Sequence, residues 1–376
     1  FNGGRGNDWI GIRATAAGAG LTTINGGNGD DQIHAGSTAG LDLDEAEPAK
    51  LDAQNNLLPR FSNPENGLLE GIQSALTVDG GEGDDRFLAD DQGDTDNGEG
   101  GTLTSTTLTG LGMGATITYN ATFENFDITL GSGGGGSTPA EAFVIASTHT
   151  DATTIDAGPG NDDIRIETIS GSTTVLGGGG SDLIIVSDTA GKSPGIFDGT
   201  LNGIQGGQLT IDGGDGGATG DILQVYDSGD GGGGQGVLTD TIITGFGIIV
   251  AIAYNDFELL TLDLGGNTDT LHIDGTHDTR TKINGADGDD TFNIEAISGN
   301  TTIFGDSVAT NPGATGYSDT FLVNFDENGM QTNRNGIVGE LTLQGRRGSD
   351  TYKIGLAGQG AAVINVLDES AGDSFG

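Results

Sequence analysis

Aspartate returns through this chain at one fixed place, the sixth residue of a glycine-rich turn. The plainest copies read Gly26-Gly27-Asn28-Gly29-Asp30-Asp31 and Gly80-Gly81-Glu82-Gly83-Asp84-Asp85. Variants begin at Gly3, Ala157, Gly177, Gly285 and Gly345, and interrupted copies run from Gly213 to Asp221 and from Gly316 to Asp319. The sixth-position carboxylates are Asp8, Asp31, Asp85, Asp162, Asp182, Asp290, Asp319 and Asp350. Such a turn must reverse the chain while aiming oxygens inward. Glycines such as Gly3, Gly26, Gly80, Gly177 and Gly285 permit φ > 0 and a close main-chain approach, so carbonyls can serve as ligands. Two turns side by side could then supply the roughly six to eight oxygens that calcium takes. Glycine and aspartate also make good plain turns, which would explain a single copy. Repetition, with the aspartate kept and an apolar pair after it, points to a calcium ligand instead. The fifth position varies among Asn, Asp and Ser and is expected to matter less.

Three turns depart from the pattern. Gly213 to Asp221 carries extra residues, an insertion separates Gly305-Asp306 from Gly316-Tyr317-Ser318-Asp319, and Arg346-Arg347 places two positive charges inside another copy. Whether these three hold an ion is left open. A second acidic grouping, Asp90-Asp91-Gln92-Gly93-Asp94 and Asp227-Ser228-Gly229-Asp230, fits either further calcium sites or solvated acidic turns. The recurring Thr148-His149 and Thr276-His277 lack partners at metal-ligand spacing and read as turn residues.

The turns need strands to hold them. Phe292 and Ile294 are two apart and so share one face of a strand. Ile10/Ile12, Ile164/Ile166, Ile184/Val186, Leu223/Val225, Phe321/Val323 and Tyr352/Ile354 repeat the spacing. Neighbouring turn aspartates fall 23 apart (Asp8 to Asp31), 20 apart (Asp162 to Asp182) and 21 apart (Asp269 to Asp290). A period of about 20 to 25 residues per coil predicts a right-handed parallel β-helix, a β-solenoid. A longer repeat overlies it: Leu103 to Gly110 returns at Leu238 to Gly245, Phe123-Glu124 at Phe257-Glu258, and Ile169-Ser170-Gly171 at Ile297-Ser298-Gly299. This predicts tandem copies of about 130 residues, bounded near 1–100, 101–234 and 235–376. Residues 36–75 hold three of the seven prolines and are expected to form a loop projecting from the solenoid.

Composition narrows the classes. Glycine occurs 73 times in 376 residues without a three-residue period, which excludes collagen. The net charge of −42 sets the chain against nucleic acid and anionic membranes, and against itself unless cations neutralise it. Absence of cysteine excludes disulfides and zinc–thiolate sites, and no apolar run reaches the ~18 residues of a membrane span. The opening Phe1-Asn2-Gly3-Gly4 falls inside a repeat, so the chain is expected to be a window cut from a longer protein.

On these glycine turns, and on the block Leu103 to Gly114 leading into Ile117-Thr118-Tyr119 and Phe123-Glu124, the chain resembles the RTX (haemolysin-type) family. It is more closely similar to the long calcium-binding repeat arrays of giant secreted bacterial surface and adhesin proteins. The resemblance covers nearly everything outside 36–75, although the spacing is wider than the family's. It implies an extracellular setting, several bound Ca2+ ions, and folding on arrival outside the cell. Two functions then stand side by side. One is a non-enzymatic, calcium-stabilised rod in a surface or matrix fibre, joined to further copies in the same chain or another. The other is a polysaccharide-active β-helix enzyme of lyase or epimerase type. Repeated acidic residues and scarce basic ones favour the rod, because a catalytic site needs a unique cluster.

Overall fold

A computed structural model of the chain describes residues 1–39, 66–96, 100–132, 142–192, 199–306, 316–326, 330–332, 336–356, 362–367 and 374–375. The fold is all-β, with long runs of parallel strands and no helix among the described residues. Two compact units divide it: Phe1–Ile164 with Ile169–Gly180, and Arg165–Thr168 with Ser181–Gly376.

In unit 1 the chain alternates between two sheets. The first begins Asn2–Arg5, Thr22–Asn28, Leu76–Glu82, and the second begins Trp9–Ile12, Gln32–Ala35, Asp85–Asp90, Phe123–Thr129. Parallel pairing in register stacks like on like. Ile10, Ile33, Phe87 and Phe126 form one inward row, and Ile12, Ala35, Ala89, Ile128, Ile155 and Val175 the next. All are buried. The Phe87 and Phe126 rings stack at 5.0 Å, close to the strand spacing. Such pairs are worth about 0.5–1.5 kcal/mol beyond the area they bury.

Unit 2 follows the same logic. Leu183–Val186, Ile222–Tyr226, Leu259–Asp263, Arg280–Ala286, Asn300–Asp306, Glu340–Gln344 and Val363–Val366 pair in parallel in that order. In the facing sheet Phe292, Phe321 and Tyr352 stack at 5.2 and 4.9 Å. The predicted inward pairs are buried, with one exception: Ile354 is only half-buried.

The repeated block at Leu103 and Leu238 is not a parallel strand pair. Each copy folds back as an antiparallel trio: Gly101–Leu103, Thr107–Gly110 and Ile117–Tyr119 in unit 1, and Gln235–Leu238, Ile242–Gly245 and Ile248–Asn255 in unit 2. A buried tyrosine closes each trio, Tyr254 donating its hydroxyl to the Thr239 carbonyl at 2.6 Å and Tyr119 to the Thr104 carbonyl. The stretch 36–75, expected to project as a loop, is described only at its ends. Residues 40–65 lie outside the described residues, but 36–39 and 66–75 are packed into the body. Ala39, Leu69 and Ile72 are buried, and Ser37 bonds Leu68 across the gap in both directions at 3.0 Å.

Candidate metal centre

The glycine turns lie where each strand of one sheet passes to the other. Strands run into them, so that Gly4, Gly27 and Gly81 sit directly above one another in register. This stacking explains the glycines. Gly27 has φ 116°, and a Cβ there would lie 2.4 Å from the Gly4 carbonyl oxygen. The first glycine is bare for another reason: a Cβ on Gly26 would lie 2.3 Å from Oδ2 of Asp31. The aspartate carboxylate folds back beneath its own turn and fills that space. Gly3, Gly80 and Gly285 are bare in the same way beneath Asp8, Asp85 and Asp290, and Gly177 is buried at the head of its turn. Ala157, and Leu264 in the turn that ends at Asp269, carry a Cβ at this position.

Each carboxylate then reaches the neighbouring turn. In unit 1, Asp31 Oδ1 accepts the N–H of Asp8 at 2.7 Å, Asp85 Oδ1 that of Asp31 at 2.7 Å, and Glu124 Oε2 that of Asp85 at 2.6 Å. In unit 2, Asp221 accepts from Asp182 at 2.8 Å and Glu258 from Asp221. A further row links Asp269, Asp290, Asp319 and Asp350, with bonds of 2.8, 2.9 and 2.8 Å. Of the predicted carboxylates, Asp8, Asp31 and Asp85 are thus brought together, as are Asp290, Asp319 and Asp350. Asp162 is buried in its turn, and Asp182 donates to a residue outside the predicted set.

Four members of the rows lie outside the eight predicted carboxylates: Glu124, Glu258, Asp221 and Asp269. The repeated Phe-Glu pair was the signal for the first two. A glutamate reaches across where the antiparallel trio has widened the step. Asp221 stands in the turn with extra residues, which the ladder accommodates.

The fifth position also has a task that variability concealed. Asn7 Oδ1 accepts the N–H of Asp30 at 3.0 Å, Asp30 Oδ1 that of Asp84 at 3.1 Å, and Asp289 Oδ1 that of Ser318 at 2.7 Å. Ser181 does the same for Thr219 at 3.2 Å. Asn, Asp and Ser share a short side chain ending in an acceptor oxygen, and the turn backbone requires that. The two ladders run in opposite directions along the chain.

The second oxygen of the sixth-position row is what remains. Oδ2 of Asp8, Asp31 and Asp85 in unit 1, and of Asp221, Asp269, Asp290 and Asp319 in unit 2, is buried with no hydrogen-bond partner. Burial first, and then repulsion from neighbouring rungs, pushes Asp85 up to about 6, and Asp290 and Asp319 up to about 8. Asp31, Asp221 and Asp269 rise for the same first cause. Main-chain oxygens of the next turn lie close by. The place of a Cβ on Gly26 is 2.3 Å from both Asp31 Oδ2 and the Gly80 carbonyl, and that on Gly285 is 2.4 Å from both Asp290 Oδ2 and the Gly305 carbonyl. The donors are all oxygen and the charge is negative, which suits a hard divalent cation. Among the described residues no three acidic or histidine side chains gather into one metal cluster. A bound ion would therefore combine single carboxylates with carbonyls and water.

Of the second acidic grouping, Asp90, Asp91, Asp94 and Asp227 are buried and Asp230 is half-buried. Asp91 Oδ1 accepts the N–H of Leu69 at 2.7 Å, and Asp227 Oδ1 that of Leu201 at 2.9 Å, so both pin an incoming loop. Burial alone would raise Asp90, but bonds from His34, the Gln92 N–H and Thr129 outweigh it and hold the carboxylate low. Thr148 and Thr276 are turn residues that accept the N–H groups of Ser170 and Ser298 at 2.9 and 3.1 Å.

No protein-family model matches the chain, and no curated protein matches it either.

Proposed function

We propose that this chain is a non-enzymatic, calcium-stabilised β-solenoid segment of a giant secreted bacterial protein. It serves as a stiff spacer in a surface or extracellular-matrix fibre or adhesin. The observation that carries this reading is the row of buried carboxylate oxygens that no donor meets. A buried charge without a partner is costly, so such a row requires protons or cations. Support for the solenoid comes from the alternation of the chain between two sheets whose strands, outside the two fold-backs, pair in parallel.

Calcium, when bound, supplies positive charge and accepts oxygen ligands between neighbouring turns. The protein's own residues do the rest. Sixth-position Oδ1 atoms fix the spacing of the turns by accepting N–H groups, which leaves Oδ2 turned under the glycines. Glycines keep side chains out of that space. Secretion follows from the same demand, since calcium is plentiful outside cells and scarce within. The partners are calcium and further copies of the repeat, of about 130 residues each. Nucleic acid is repelled by the charge, and among the described residues no helix is long and apolar enough to cross a membrane.

Circular dichroism with calcium and then with excess chelator tests the proposal. Strand signal and melting temperature should fall on chelation and return with calcium. A spectrum and melting curve indifferent to chelator would refute it.

A further inference from the structure

The two antiparallel fold-backs are copies of one block, and they differ where they meet water. Thr107, Gly114, Thr116 and Thr118 of unit 1 correspond to Ile242, Ile249, Ala251 and Ala253 of unit 2. The pairings agree, with Thr107 opposite Thr118 and Ile242 opposite Ala253. Ile242 is 37% exposed and Ile249 76%. The unit 1 copy folds back with threonine and glycine at those places, so the fold-back itself does not demand isoleucine. A large apolar side chain held in water costs free energy that burial recovers.

The sheet around these isoleucines is free of acid. Ile248–Asn255, Ile242–Gly245, Gln235–Leu238, Thr270–Ile273, Thr291–Ile294, Thr320–Val323 and Thr351–Ile354 are neighbours in that order. None contains any of the chain's 55 aspartates and glutamates, and Lys353 is their one lysine or arginine. The facing sheet of the same unit carries Asp263, Arg280, Lys282 and Glu340. Thr270, Thr291, Thr320 and Thr351 pair in register and continue the uncharged face with hydroxyls. The aromatic side chains of these strands, Tyr254, Phe292, Phe321 and Tyr352, are buried, so no ring is offered to a small ligand such as a sugar.

We infer that this face, centred on Ile242 and Ile249, docks against the same face of a second copy of the chain. At a net charge of −42, two copies repel wherever acids meet acids. An acid-free apolar face is the surface on which they can close, and the centres of protein interfaces are likewise poor in charge. Like against like is the common arrangement for identical chains. The inference rests on the fibre reading above, to which it adds a lateral contact separate from the carboxylate rows.

Sedimentation equilibrium of the full chain in saturating calcium tests this, with Ile249→Asp, the pair Ile242→Thr and Ile249→Gly, and Thr118→Asp. The parent should self-associate, more strongly as sodium chloride is raised, because salt screens the repulsion between acids. Ile249→Asp should weaken association by about tenfold or more, since an apolar burial is lost and a like charge gained. The paired substitution writes the unit 1 residues into unit 2; it should keep the strand signal and weaken association by a similar factor. Thr118→Asp, on the other fold-back, should leave association unchanged. A parent that is monomeric at every salt and protein concentration overturns the inference. If that monomer still loses strand signal on chelation, the calcium reading stands; if it ignores chelator, the proposed function falls too. Association that Ile249→Asp leaves intact overturns the lateral face alone and leaves the fibre to contacts elsewhere. A monomeric parent held on a cellulose column and released by Ile249→Asp would assign the face to a neutral polysaccharide, which also overturns the inference.

Discussion

Two kinds of turn in unit 2 do the same mechanical work with different chemistry. Thr276 Oγ1 accepts the N–H of Ser298 at 3.1 Å, and Asp319 Oδ1 accepts that of Asp290 at 2.9 Å. Unit 1 repeats the contrast, with Thr148 receiving Ser170 at 2.9 Å and Asp85 receiving Asp31 at 2.7 Å. Each bond satisfies a main-chain donor that the turn leaves out of the sheet, worth about 1 kcal/mol. Only the acidic turns add a buried charge whose second oxygen meets no donor. A hydroxyl is enough for the hydrogen bond. The carboxylates therefore answer a different need, which we assign to cations lying between turns.

The contrast is broken most forcefully by removing the ion. Chelation should lower the melting temperature by more than about 10 °C or unfold the chain, because linkage to several bound ions disappears at once. Scanning calorimetry with and without chelator would measure it. If the acidic turns hold no ion, the two curves coincide.

A pH series sharpens it further. Without calcium, Asp290 and Asp319 bind protons more tightly folded than unfolded, since folding pushes both from an ordinary carboxylate value up to about 8. The stability this contributes is full below about pH 4 and is lost as pH rises through about 8. The chelated chain should thus melt higher at pH 5 than at pH 8. Saturating calcium should remove or reverse that slope, because protons and calcium compete for the same oxygens. A chelated chain more stable at pH 8 would contradict the electrostatic picture.

The smallest effect belongs to the neutral turn. Thr276→Val should cost about 1–2 kcal/mol by urea denaturation, equally with and without calcium. A calcium-dependent cost at Thr276 would erase the distinction between the two edges.

Much of this design could be read in the sequence, for identifiable reasons. Period-two pairs such as Phe292/Ile294 declared the strands, because a buried face admits only apolar side chains. Sixth-position aspartates stood out because their turn also demands glycines. Glu124 and Glu258 were visible only as a repeated dipeptide, since their turns lack the glycines and a longer side chain bridges a longer step. The fold-back of Gly101–Tyr119 was hidden by its β-rich composition, which suits parallel and antiparallel pairing alike. At the fifth position, Asn, Asp and Ser looked like relaxed choice. They are equivalent solutions to one hydrogen bond.

The most direct test of the central claim is Asp290→Asn, melted in saturating calcium and again in chelator. Asparagine keeps the Oδ1 acceptor for Asp269 and removes only the charge. The account predicts opposite signs: a loss of about 1–3 kcal/mol with calcium, and no loss or a gain without it. An equal loss in both conditions would show that the carboxylate serves the hydrogen bond alone, and the cation would have no place in the turn.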